Sequence, residues 1–213
     1  VLALSLVDSK APLYPSDDLY RDFVAPLLLN SIKKQDKVLV LFTNLEAIAD
    51  VYSAIVTRPE FKDFELLAQG VTGSNEKIVK RFNVAKRAII LGANSFWEGV
   101  DFGQTKVNLV IATKLPFESP DQVEVKLRQT NLSRQGIDVF SEDSLPRAIL
   151  RLKQGMGRLI RSPKDSGIFA LLDQRIWTSN YGPEFLDSLP GRPVQVNLDE
   201  LEKNIRKGYD KDN

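Results

Sequence analysis

Short apolar segments alternate with longer amphipathic segments along this chain. Each brief apolar run has the length of a buried strand, and the predicted strands are 37–44, 64–69, 87–94, 106–115 and 166–173. Apolar residues recur with helical spacing between them, and the predicted helices are 17–34, 45–56, 75–85, 120–135 and 144–162. This alternation predicts an α/β fold of three layers, in which helices cover both faces of a mainly parallel sheet.

The pattern becomes more polar near the end of the sequence. One domain is therefore predicted over residues 1–190, followed by a polar, lysine-rich tail over 191–213. The tail contains one possible helix, LDELEKNIRK, which we expect to fray. No internal repeat and no low-complexity segment is present in the sequence.

Composition excludes several kinds of site. The sequence contains no cysteine and no histidine, which excludes disulfides, an iron–sulfur cluster in this chain, histidine catalysis and the usual zinc sites. The formal net charge is +1, so any nucleic acid must bind to a local patch. No apolar run approaches the ~18 residues of a membrane span and no signal peptide is visible, so we expect a cytoplasmic location, no membrane partner and no bound metal.

Two glycines interrupt the predicted helix at 144–162, in the stretch LRLKQGMGRLIRSP. Each costs roughly 1 kcal/mol relative to alanine in a helix interior. Gly155 and Gly157 are explained if another backbone or a ligand approaches closely, or if the helix ends there and leaves its final turn free. Both explanations are compatible with the sequence.

One face of the same helix is cationic. At 100° per residue, a single arc of about 80° holds Arg147, Arg151, Gln154, Arg158 and Arg161. A solvent-exposed charged face is the ordinary interpretation of such a stripe. The neighbouring glycines, and the suitability of planar guanidinium groups for phosphate oxygens, favour contact with a phosphate instead.

The segment QGMGRLIR resembles motif VI of superfamily 2 helicases, Gln-x-x-Gly-Arg-x-x-Arg. The resemblance implies that Gln154, Arg158 and Arg161 face ATP held by a partner domain. It makes Arg161 the arginine finger, Arg158 a second contact to the γ-phosphate, and Gly157 part of the ATP-binding surface. Arg147 and Arg151 lie outside the motif, and we expect them to pack or to pair with acids.

The segment SFWEGVDF resembles motif V of the DinG and XPD branch of these helicases, with its Trp-x-Gly-x-Asp core. Taken alone, it is an ordinary strand-to-loop exit. The resemblance implies that Glu98, Gly99 and Asp101 lie near ATP or hold the predicted helix at 144–162 in place. It also implies that Asn94 and Ser95 lie nearer the DNA backbone.

The segment LVLFTN resembles motif IV, where a strand ends and a helix begins. Backbone N–H groups and short polar side chains at such a place can bind phosphate. Thr43 and Asn44 are therefore candidate DNA contacts, although Asn44 is equally explained as a helix N-cap. Gln69 ends another predicted strand, and either contacts DNA or starts a turn.

The segment KLPFESP, with its Leu-Pro-Phe, is a further mark of the DinG branch. Phe117 and Phe96 lie in predicted exit loops. Stacking on a single-stranded base is worth ~1–3 kcal/mol, but anchoring in the core is the favoured interpretation of both aromatic side chains.

The resemblance covers residues 36–175 and implies the C-terminal RecA-like motor domain of a DinG- or XPD-like helicase. The sequence contains no GxxxxGK[ST] loop, so the phosphate loop and the Mg²⁺ site are expected in an N-terminal motor domain, as the start at Val1 also fits. The expected ligands are ATP and Mg²⁺, and the expected partners are single-stranded DNA and that N-terminal domain. The family mechanism implies 5′–3′ movement by the full-length protein and no ATP hydrolysis by this chain alone.

Two other functions fit the sequence less well. The first is a helicase-like accessory domain that regulates a DinG-like nuclease without unwinding DNA. The second is a dinucleotide-binding domain, which is disfavoured because no GxGxxG follows a predicted strand.

Overall fold

The computed structural model describes residues 2–8, 17–32, 35–159 and 166–208, and the side chains of these residues apart from those of 17–22. The strands in this part of the chain are β1 (Leu2–Leu6), β2 (Lys37–Leu41), β3 (Glu65–Ala68), β4 (Ala88–Gly92), β5 (Leu109–Ala112), β6 (Ile168–Leu171) and β7 (Val194–Val196). They form one sheet in the order β3-β4-β2-β5-β6-β1-β7, and every neighbouring pair is parallel.

The helices lie on both faces of this sheet. They are α1 (Asp17–Ser31), α2 (Leu45–Ile55), α3 (Asn75–Val84), α4 (Val123–Arg134), α5 (Leu145–Gly157), α6 (Arg175–Thr178), α7 (Gly182–Ser188) and α8 (Leu198–Lys207). Side chains from α1, α2 and α8 pack on one face, and those from α3, α5, α6 and α7 pack on the other. The three-layer α/β architecture is therefore confirmed.

Alternation of side chains along the central strands explains the two cores. In β2, every residue is buried; Val38 and Val40 point into one core, while Leu39 and Leu41 point into the other. A parallel strand that is buried on both faces has a continuous apolar sequence. For this reason the five strands from β2 to β6 lie within the segments that the apolar runs predicted.

The two strands that the pattern did not predict are neighbours at one end of the sheet. β1 lies between β6 and β7, so its partners are both near the other end of the sequence. β7 has three residues, of which Val194 and Gln195 are exposed, and it therefore lacks an apolar run. The short helices α6 and α7 were also not predicted.

The predicted polar tail contributes both β7 and α8 to this domain. The predicted helix is present, but the expectation that it frays is wrong because Leu201 and Ile205 are fully buried. Its N-terminus carries a capping box, in which the side chains of Asn197 and Glu200 each accept a hydrogen bond from the other's backbone N–H. Packing on α1 and β1 thus stabilises a segment with few apolar residues.

Helix α5 begins and ends differently from its prediction. A π-helical turn at Phe140–Ser144 leads directly into it, and its last helical residue is Gly157. The final predicted turn includes Arg161, which lies outside the described residues.

Candidate functional site: the carboxyl edge of the sheet

The predicted DNA contacts follow three neighbouring strands. Thr43 and Asn44 come after β2, Gln69 comes after β3, and Asn94 and Ser95 come after β4. Because these strands are parallel, their carboxyl ends meet at one edge of the sheet. Ligands of open α/β sheets bind outside this edge, so the candidate residues lie where such a sheet binds its ligand.

The loop at residues 93–103, called the β4 loop below, is folded on itself. Asn94 has a φ of 43°, in the left-handed region that asparagine tolerates. The carbonyl of Ser95 accepts hydrogen bonds from Gly99 N at 3.0 Å and Val100 N at 3.1 Å. The Asp101 side chain accepts one from Gly103 N at 2.9 Å. These bonds fix the part of the loop that follows a short 3-10 helix at Asn94–Phe96.

Trp97 anchors the β4 loop to α5. Its indole is 1% exposed, and its Nε1 donates to Phe42 O at 2.7 Å. A Cβ added at Gly155 would lie 2.8 Å from Trp97 Cε3 and 3.2 Å from Leu41 Cδ1. Gly155 is therefore explained by close approach, but what approaches it is an indole ring, neither a ligand nor another backbone.

Gly157 fits the other explanation, because α5 ends there. A Cβ at this position would meet no described atom within 4 Å. The next residue, Arg158, donates from Nε to Trp97 O at 3.2 Å and from its guanidinium to Val100 O. The end of the helix is thus not free, since Arg158 ties it to the β4 loop.

Gln154 lies between two side chains that contact the β4 loop. Arg151 is one turn before it and pairs with Glu98, and Arg158 is one turn after it. Gln154 Oε1 is buried and has no hydrogen-bond partner among the described residues. An unsatisfied buried acceptor costs about 1–3 kcal/mol, so this amide oxygen would gain from a hydrogen-bond donor.

The arginines before the motif pair with carboxylates, as one of the sequence alternatives predicted. We call this set the ion network, and its members are Glu98, Glu118, Arg128, Asp143, Arg147 and Arg151. Arg151 lies 3.1 Å from Glu98 and 3.2 Å from Glu118. Arg128 joins Glu118 to Asp143, with 2.9 Å between its Nε and Asp143 Oδ2. Arg147 Nε lies 2.7 Å from Asp143 Oδ1, which completes a link from the β4 loop through α4 to the start of α5.

Asp143 is the most buried carboxylate of the ion network. Burial alone would raise its pKa, but hydrogen bonds from Arg147 and Arg128 outweigh burial and hold the pKa below the ordinary value of 3.8. The i,i+4 spacing of Asp143 and Arg147 could have been found in the sequence. Arg128, Glu118 and Glu98 come from separate segments, and no spacing indicates that they meet.

Other side chains of the predicted segments also have defined positions. Asn44 caps α2, since its side chain accepts from Ala47 N at 2.8 Å. Phe96 is fully buried, which confirms core anchoring. Phe117 is partly buried and packs with Phe140, Tyr181 and Phe185, so it too is an anchor. Thr43 and Asn94 line a small pocket with Arg151.

Gln69 and Ser95 are brought together with a third side chain, Asn75, that sequence reasoning missed. We call these three residues the amide cluster. Ser95 Oγ accepts from Asn75 Nδ2 at 2.9 Å and from Gln69 Nε2 at 3.3 Å. Gln69 Oε1 accepts from Ala93 N at 2.7 Å. Asn75 is the first residue of α3, and nothing in its local sequence indicates a contact with the β4 loop.

Within residues 2–8, 17–32, 35–159 and 166–208, two further features are absent. No group of three or more acidic side chains is placed to hold a metal ion. None of the helices in this part is long and apolar enough to cross a membrane.

Comparison with known proteins identifies the family. A family model described as "Helicase C-terminal domain" matches residues 28–192, most of the chain. The chain belongs to the helicase C-terminal domain family. The predicted resemblance to DinG- and XPD-like helicase motor domains is thereby confirmed.

Relatives of this helicase domain carry two kinds of name. It is 39% identical over 190 residues to a "3'-5' exonuclease DinG" from Bacillus subtilis, covering 88% of this chain and 20% of the relative. It is 40% identical over 146 residues to an "ATP-dependent DNA helicase YoaA" from Escherichia coli, covering 68% of this chain and 22% of the relative. The chain thus spans about a fifth of the length of these curated relatives.

Solved structures confirm the fold of the helicase domain. An XPD helicase structure matches with a TM-score of 0.65 and 22% identity, over 92% of this chain and 35% of that chain. The C-terminal domain of the DEAD-box protein Dbp5 matches with a TM-score of 0.59 and 15% identity, over 97% of both chains. The expected RecA-like fold is therefore confirmed.

Proposed function

We propose that this helicase domain is the second motor domain of an ATP-dependent DNA helicase of the DinG type. The observation that carries the proposal is the buried amide oxygen of Gln154 beside the β4 loop, which has no hydrogen-bond partner among the described residues. The family match gives the context, since the residue lies in the segment that resembles motif VI. In the full-length protein, ATP would lie between two motor domains, with Mg²⁺ held mainly by the other one.

The residues of this chain would complete that site in trans. Gln154 would accept a hydrogen bond from a donor across the cleft, satisfying an atom that is otherwise buried without one. Arg161 would place its guanidinium against charge that develops on the transferred phosphoryl group, and Arg158 would be a second contact. Gly157 would let that group approach the end of α5, where an added Cβ would meet no described atom within 4 Å. Gly99 and Asp101 would line the same cleft.

The ATP site and the DNA surface would be linked through the β4 loop. Arg158 and Trp97 attach α5 to this loop, and the same loop carries Asn94 and Ser95. Single-stranded DNA would cross the carboxyl ends of β2, β3 and β4, near Thr43, Asn44 and Gln69. Glu98 pairs with Arg151, so its contribution would be to hold α5 in place. Opening and closing of the cleft would then move the strand in the 5′–3′ direction.

The test is DNA-stimulated ATP hydrolysis by the full-length protein. We expect Arg161→Ala to lower the rate by about 10³-fold or more, the low end for an arginine finger. Gln154→Ala should also lower it, whereas Lys153→Ala, the adjacent exposed cation on α5, should stay within about twofold. Residues 1–213 alone should show no turnover. ATP hydrolysis by the isolated chain, or an unchanged rate in Arg161→Ala, would contradict the trans site. Strand separation of substrates with 5′ or 3′ overhangs tests the direction of movement.

The second candidate is a helicase-like accessory domain of a DinG-like nuclease. It is favoured by the name of the Bacillus subtilis relative, a 3'-5' exonuclease. A full-length protein that degrades single-stranded DNA but neither hydrolyses ATP nor separates strands would support this function. ATP hydrolysis coupled to strand separation would support the motor.

A further inference from the structure

Ser95 of the β4 loop is fixed through both its carbonyl and its hydroxyl group. Its carbonyl oxygen accepts from Gly99 N and Val100 N, and its hydroxyl oxygen accepts from Asn75 Nδ2 and Gln69 Nε2. Backbone and side chain are therefore both held in one orientation.

The two amide donors determine which way the hydroxyl hydrogen points. A serine hydroxyl has two acceptor lone pairs and one donor hydrogen. Because both lone pairs face amide N–H groups, the hydrogen must point away from them. Ser95 donates to no acceptor among the described residues, and it lines an open cavity of about 310 Å³ between α3 and the β4 loop, toward which its hydrogen can point.

We propose that Asn75, together with Gln69, is a positioning residue that presents the Ser95 hydroxyl as a hydrogen-bond donor to a backbone phosphate of single-stranded DNA. The inference deepens the proposed function and rests on it. Donors directed at an anionic oxygen form the stronger class of hydrogen bond, and orienting one in advance removes an ordering cost on binding. Both amides act through Ser95. Gln69 accepts a hydrogen bond from Ala93 N with its Oε1 and donates from its Nε2 to the Ser95 hydroxyl oxygen. Asn75 donates to the same oxygen from its Nδ2.

The cavity is lined by apolar and acidic side chains as well as by Asn75 and Ser95. Val79 and Val100 supply apolar surface beside the hydroxyl, and Gly99 adds no side chain. Of the two carboxylates that line it, Asp101 has its side chain bonded to Gly103 N. Glu76 is exposed on the second position of α3.

The experiment is a double-mutant cycle on single-stranded DNA affinity of the full-length protein. Ser95→Ala should weaken binding roughly tenfold, and Asn75→Ala about threefold, since the hydroxyl is still present but no longer oriented. In the Ser95→Ala background, Asn75→Ala should change affinity by less than about twofold, because its effect passes through the missing hydroxyl. Asn204→Ala, on α8 at the opposite end of the sheet, is the matched control.

A near-isosteric variant sharpens the test. Asn75→Asp replaces the donor by an acceptor, which would draw the Ser95 hydrogen inward, so affinity should fall below that of Asn75→Ala. The part of this loss of affinity that the added charge causes will persist in the Ser95→Ala background. The part that the reoriented Ser95 hydroxyl causes should disappear there. None of the alanine variants removes a cation, so the slope of log affinity against log salt should stay unchanged for them.

Each outcome decides between distinct conclusions. Equal losses from Asn75→Ala in both backgrounds would mean that Asn75 contacts DNA directly, and would overturn the inference. Loss with Ser95→Ala but none with Asn75→Ala would overturn it while leaving the DNA surface intact. Variants that weaken ATP binding and not DNA binding would assign the hydroxyl to the nucleotide instead. A wild-type protein without DNA affinity would overturn both the proposed function and this inference.

Discussion

Helix α5 is held in place differently on its two faces. Toward the sheet, Gly155 lies against the Trp97 ring so closely that there is no room for a methyl group. Away from the sheet, Arg147 and Arg151 are held by carboxylates, and the Gln154 amide oxygen has no partner in the described part of the chain. The inner face is determined by shape, and the outer face by charge. Such a division lets the outer face exchange polar partners without disturbing the core.

Gly155→Ala should give the largest loss of stability. The added Cβ would force a fixed, buried ring to move, so we expect the free energy of unfolding to fall by about 1–3 kcal/mol. Gly157→Ala is the matched control, and it should leave stability unchanged or raise it by up to about 1 kcal/mol through helix propensity. The measurement is the urea midpoint of both variants. Equal midpoints would show that Trp97 adapts, and the contrast between the faces would disappear.

Arg128→Ala tests the outer face. It leaves the buried Asp143 with Arg147 alone and removes the partner of Glu118. Breaking a buried ion pair costs about 3–5 kcal/mol; because Arg128 is 26% exposed and Asp143 keeps one arginine, we expect about 1–2 kcal/mol. Arg134→Ala, exposed on the same helix, should change stability by less than about 0.5 kcal/mol. A loss as small as that of Arg134→Ala would mean that the ion network does not stabilise α5.

The smallest expected effect is a pH dependence confined to the outer face. The pKa of Asp143 is lower in the folded protein than its ordinary value of 3.8, so its contribution to stability is fully present above that value. It is lost as the pH falls through the lower, folded pKa. The difference in unfolding free energy between wild type and Asp143→Asn should therefore shrink in acid. The loss caused by Gly155→Ala should stay constant over the same range, since the side chains nearest to that site, Trp97 and Leu41, do not titrate.

The sequence predicted the inner face of α5 better than the outer one. Strands β2 to β6 and the apolar side of α5 follow from periodicity, because burial on both sides leaves an apolar run or a helical stripe. The cationic stripe was also predictable as far as Arg158. The i,i+4 pair of Asp143 and Arg147 could have been found in the sequence, but Glu98 and Glu118 could not, since they come from separate segments and meet α5 only after folding. Asn75 was missed for the same reason.

The two glycines show where sequence reasoning reaches its limit. Both explanations were available beforehand, and each applies only in part: the close approach to Gly155 is made by a side chain, and α5 ends at Gly157 without leaving its last turn free. Which applies to Gly155 depends on Trp97, a residue that only tertiary packing brings near it. The roles of Gln154, Arg158 and Arg161 at ATP stay predictions, and so does the contact of Thr43 with DNA.

The position of β1 has a consequence for how this domain is made. Leu2–Leu6 pairs with β6 and β7, which are translated only near the end of the sequence. At about 5–20 residues per second, the ribosome needs on the order of ten seconds to supply those partners. During that interval LALSL is an apolar strand without its neighbours, and pairing between such distant segments is slow. We therefore expect the end of the sheet that contains β1 to be completed last. Strands β2, β3 and β4, which carry the candidate site, should pair before it.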